Sequence, residues 1–79
     1  MKIERIQTGV RMEKRLVKVL KGTAEYLDMS LGDLLEGLVL HAMDGNPSPF
    51  SEETLGKIAA LKKVYGLDLD SSHSHRMEE

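Results

Sequence analysis

The 79-residue chain has no cysteine, so neither a disulfide framework nor a thiolate metal site is available to it. It has no apolar run near the length that spans a bilayer, and its first residues, Met-Lys-Ile-Glu-Arg, carry no apolar stretch of signal-peptide length. No nucleophile–base pair, phosphate-binding glycine loop or paired carboxylate on one rigid element is apparent, so catalysis is not expected. There is no internal repeat. These absences point to a soluble, cytoplasmic, non-enzymatic protein with no cofactor and no membrane. Its length allows one small domain, and small chains without staples often rely on oligomerisation.

Charge is present but unevenly placed. Residues 1–22 carry a net +5 and residues 23–79 a net −7, against a total of −2. The total argues against a nucleic-acid partner, but the basic end offers a local field that dimerisation would double.

That basic end holds a two-residue alternation. Ile6, Thr8, Val10 and Met12 are apolar or β-branched, while Arg5, Gln7, Gly9, Arg11 and Glu13 are polar, charged or glycine. The pattern predicts a β-strand with one face for a core. A lone strand leaves its backbone groups unpaired, so the pattern also predicts a second copy of the strand from a second copy of the chain.

After Met12 the period lengthens to about 3.6. Leu16, Val19, Leu20, Thr23, Ala24 and Leu27 predict an amphipathic helix over 14–27, with Lys14, Arg15, Lys18 and Lys21 on its exposed side. Gly22 within it is either a tolerated cost or a point of close packing. Ser30 is a good N-cap for a second helix over 31–44, with Asp33 three residues on. That helix is apolar on several sides, so the extra burial points to a second protomer. Asp44-Gly45-Asn46-Pro47-Ser48-Pro49 is turn chemistry, and residues 46–50 are expected to form a linker. Ser51 caps a third helix over 51–66, which Gly66 ends. Residues 67–79 are expected to form a flexible tail.

Residues 5–44 resemble the ribbon-helix-helix proteins of the Arc, MetJ and CopG types. The resemblance rests on the alternating segment Arg5–Met12, the first-helix stripe ending at Leu27 and the Met29-Ser30 entry to the second helix. It covers about half the chain. It implies a mainly α fold with one β-strand: an intertwined homodimer whose two strands form an intermolecular antiparallel ribbon. Residues 1–45 would be that domain, with the C-terminal third helix added. It also implies a sequence-specific DNA-binding protein, a transcriptional repressor whose ribbon reads the major groove.

Carried onto this sequence, the resemblance gives Gln7, Gly9 and Arg11 as base-contacting positions. Arg11 would bond guanine O6 and N7, and Gln7 adenine N6 and N7. Gly9 departs from the pattern, as a bulge or a close backbone approach. Arg5 and Lys14 would meet phosphates, as would the backbone at Ser30, Leu31 and Gly32 where the second helix begins. Asp33 has the wrong sign for that clamp.

Two other functions stay open. One is an antitoxin that represses its own promoter and binds a toxin through residues 51–66. The other is a dimeric protein-interaction module without DNA binding, which the acidic total and Gly9 favour and the basic end opposes. His73 and His75 lack a third metal ligand, and His41 lacks a companion.

Overall fold

The computed structural model describes residues 3–45 and 49–73. It contains three α-helices, α1 (Lys14–Tyr26), α2 (Leu31–Asp44) and α3 (Glu52–Tyr65), and a short 3-10 turn at Ser71–His73. There is no β-strand among the described residues. This corrects the expected fold class. Residues 3–13 form an arm without regular structure, so the one-strand, ribbon-helix-helix architecture with its intermolecular ribbon does not stand. The physical reason is that alternation records two chemistries on an extended segment, whereas a strand needs a ladder. Residues 3–12 make no backbone–backbone hydrogen bond among the described residues. Ile6 and Val10, the supposed inward face, are 81% and 72% exposed.

The helices owe their limits to local chemistry. Glu13 caps α1 through its carboxylate, which accepts from the backbone N–H groups of Arg15 (2.9 Å) and Leu16 (3.1 Å). At the other end, Met29 N–H donates to Ala24 C=O and Asp28 N–H to Glu25 C=O. This is a Schellman closure with Asp28 in the left-handed position at φ 58°. Ser30 Oγ accepts from Asp33 N–H at 3.0 Å and opens α2. Ser51 Oγ accepts from Thr54 N–H at 3.2 Å and opens α3. Gly66, at φ 68°, closes α3 by a second Schellman pair, with Leu67 N–H bonded to Lys62 C=O.

Gly45 ends α2 at φ 75°, and a Cβ built there would lie 2.7 Å from Leu55 Cδ1. Here the backbone sign asks for glycine, while the close contact is with the tip of the Leu55 side chain, which would have to shift. Gly22 is the opposite case, with nothing within 4 Å of a built Cβ.

α1 and α2 are in contact, and Ala24, Leu34 and Gly37 are the buried residues of the described chain. α3 lies against the far end of α2. Asp44 ties these parts together: its carboxylate accepts from Ser71 N–H at 2.8 Å and faces Lys62 Nζ at 3.5 Å. Residues 67–73, expected to be tail, therefore fold back on α2. Residues 74–79 and 46–48, the rest of the expected tail and most of the linker, lie outside the described residues.

One chain builds very little interior. It exposes 6732 Å² for a mass of 8.8 kDa. A compact monomer of that mass exposes about 4,800 Å². Assigning the eleven residues outside the described set the full surface of an unfolded chain, about 160 Å² each, leaves about 4,970 Å² for the other 68, against about 4,280 Å² for a compact chain of 68 residues, an excess of roughly 700 Å².

Candidate nucleic-acid interface

The basic residues of the N-terminal third sit on two adjoining elements, the arm and α1. At 100° per residue, α1 has three sides. Val17, Leu20, Ala24 and Leu27 are buried or half-buried toward α2. Lys14, Lys18 and Lys21 fall within about 60° of one another on a second side. All three are exposed, and none forms an ion pair among the described residues. The third side carries Leu16, Val19 and Tyr26, exposed by 49%, 64% and 86%. It lies about 150° round the helix from the lysine row. The stripe read from the sequence thus divides in two, one half packed and one half bare.

Arg15 does not join the lysine row. Its Nε meets Glu13 Oε2 at 2.9 Å. The Arg15 side chain and the backbone amide of Leu16 hold the Glu13 carboxyl below its ordinary range. Alternation places Glu13 on a strand face, and glutamate is not among the strongly preferred N-caps, so no local signal marks this role.

The expected base-contacting residues Gln7, Gly9 and Arg11 lie together on the arm, all exposed. A Cβ built at Gly9 meets nothing within 4 Å, so the chain's own packing does not demand glycine there. Arg5 differs from its neighbours. Its Nε and Nη2 donate to Glu36 Oε2 and Oε1 at 3.0 and 3.2 Å, a two-pronged pair between arm and α2. The hydrogen bond and charge of Glu36 raise the Arg5 pKa further. No local pattern points to Glu36, which lies 31 residues away.

The proposed clamp at the start of α2 sits in less favourable surroundings. Ser30 Oγ is already used as the cap. Leu31 is half-buried and Gly32 is exposed. The adjoining cleft is lined by Glu25, Asp28 and Asp33, with Lys21 the one cation. Three carboxylates at this end repel an incoming phosphate and oppose the attraction of the helix dipole.

An apolar surface runs along α2 from Leu35 and Glu36, next to the arm contact. Leu35, Val39, Leu40, Met43, Leu67 and Leu69 line a cleft of about 340 Å³. Met43 and Leu67 also border a smaller one of about 200 Å³ with Ile58, Leu61 and Tyr65 of α3. His41 is half-buried on α2. No cluster of three or more potential metal ligands occurs among the described residues, and the His73–His75 pair reaches beyond them. Among the described residues, no helix is long and apolar enough to cross a membrane. No family model, curated protein or solved structure matches the chain.

Proposed function

We propose that this chain is a homodimeric, sequence-specific DNA-binding protein that acts in the cytoplasm as a transcriptional repressor, binding rather than catalysing. The observation that carries the reading is the lysine row of α1, exposed and without an ion-pair partner among the described residues, beside an arm that presents Gln7 and Arg11 to solvent. Lys14 to Lys21 spans about 10 Å along the helix axis, close to three nucleotide steps of one DNA strand. The lysines supply phosphate affinity without sequence information. The arm supplies the readout, with Arg11 donating to guanine O6 and N7 and Gln7 to an adenine edge.

The second copy follows from the surface left bare. A standard interface covers about 800 Å² on each partner, close to even the lower excess given above. The exposed side of α1 faces away from the lysine row, so pairing there leaves the row open to DNA.

The apolar clefts of α2 and α3 support a second reading, in which a protein partner binds through the C-terminal helix, as in an autoregulating antitoxin or a dimeric interaction module. Fluorescence anisotropy with promoter and random-sequence duplexes, at several salt concentrations, separates the two. DNA binding predicts affinity that falls with salt by about 0.9 log units per log unit for each phosphate neutralised. No binding to either duplex at 50 mM salt would sink the proposal. Sedimentation equilibrium tests the dimer, and a monomer at tens of micromolar would sink that part.

A further inference from the structure

The Arg5–Glu36 pair is, among the described residues, the sole hydrogen-bonded tie between residues 3–12 and the rest of the chain. It joins the arm to the middle of α2, beside a cleft of about 530 Å³ lined by Arg5, Ile6, Gln7, Thr8, Gly32 and Leu35. Both side chains are half-exposed, 52% and 50%, so water and anions reach the pair from outside.

We propose that Glu36 is a stand-in for a DNA phosphate: it holds Arg5, and with it the arm, against α2 in the free protein, and releases Arg5 to the backbone of an arriving duplex. The inference rests on the DNA-binding reading and adds a regulating residue to it. Carboxylate and phosphate present the same two-oxygen edge to a guanidinium fork, so one can replace the other without rebuilding the arginine's geometry. An exposed pair of this kind is weak enough to exchange. Asp33 adds further negative charge around Arg5 in the held state. Glu36 thereby acts as a positioning residue. It keeps Gln7 and Arg11 in one place before binding and sets a threshold that a weak anion does not cross.

The test is a double-substitution cycle of Arg5→Gln and Glu36→Gln, read by anisotropy on a 30-base-pair duplex carrying the preferred site. Glutamine matches glutamate in shape and helix propensity, so α2 is preserved. Glu36→Gln is expected to tighten binding by up to about fivefold per chain, the range of an exposed ion pair. The salt slope stays that of the parent, because Arg5 reaches phosphate in both complexes. Arg5→Gln weakens binding and lowers the slope by about 0.9 per chain. Glu36→Gln placed on Arg5→Gln then changes nothing. Backbone order parameters of Gln7–Val10 in the free protein supply an independent readout, with lower values expected in either single variant.

Equal tightening by Glu36→Gln with and without Arg5 would show simple removal of a repelling charge and overturn the proposal. So would an unchanged affinity in Glu36→Gln. A parent protein that binds no duplex at all fails the functional reading itself. A parent that binds with no coupling between positions 5 and 36 fails this inference alone.

Discussion

Replacing Lys14, Lys18 and Lys21 together by alanine tests the row on which the DNA-binding reading stands. Alanine is the best helix former, and the three positions are exposed, so α1 should keep or gain stability. Circular dichroism and thermal melting establish that first. A dimer presents the row twice, which makes six lysines. If each meets one phosphate, the substitution lowers the slope of log affinity against log salt by about 5.4. Between 50 and 200 mM salt the parent then loses about a thousandfold more affinity than the variant. Anisotropy titrations at four or five salt concentrations on one duplex resolve such a difference. A slope within about 1 of the parent's would refute the row as a phosphate-contacting surface, since it would leave at most one contact for six charges.

Arg11→Ala should cost about 1–3 kcal/mol on the preferred site and much less on random DNA, so comparison of the two duplexes isolates base readout. Gly22→Ala and Gly45→Ala should move stability in opposite directions when measured by urea denaturation. The first fills open space and should stabilise by roughly 0.5–1 kcal/mol. The second forces a side chain into a left-handed backbone and onto Leu55, and should cost at least about 1–2 kcal/mol. Asp44 is held below its ordinary pKa by hydrogen bonds from the Ser71 side chain and backbone, with Lys62 adding its charge. A depressed carboxyl stabilises the fold above the unfolded carboxylate range and loses that contribution as pH falls through its folded value. The protection of the Ser71 amide against hydrogen exchange, taken relative to its intrinsic rate at each pH, should therefore fall on acidification, and Asp44→Asn should remove most of that dependence.

The helices were legible because their signals are local. Ser30 and Ser51 cap through their own hydroxyls, and Gly45 and Gly66 close through positive φ, each within a few residues of the boundary it sets. The arm was misread for an equally definite reason. Its alternation satisfied the side-chain rule for a strand, but the hydrogen-bonding rule depends on a neighbour that the described chain does not contain. The expected reading residues Gln7, Gly9 and Arg11 share one exposed segment simply because they are near neighbours in sequence. What stayed hidden were the long-range ties, Arg5 to Glu36 and Asp44 to Ser71. Neither pair has a spacing that any periodicity reports. Glu13 was hidden by a competing pattern, its place in the alternation masking its use as a cap.

An interior that, among the described residues, amounts to one alanine, one leucine and one glycine has a consequence for how such a molecule persists. On the dimeric reading, folding becomes a bimolecular event, and its midpoint moves with dilution. At low copy number the chain spends more time open and is degraded sooner; at high copy number it protects itself. Half-life in the cell would then climb with abundance, so that a small change in synthesis becomes a larger change in standing amount.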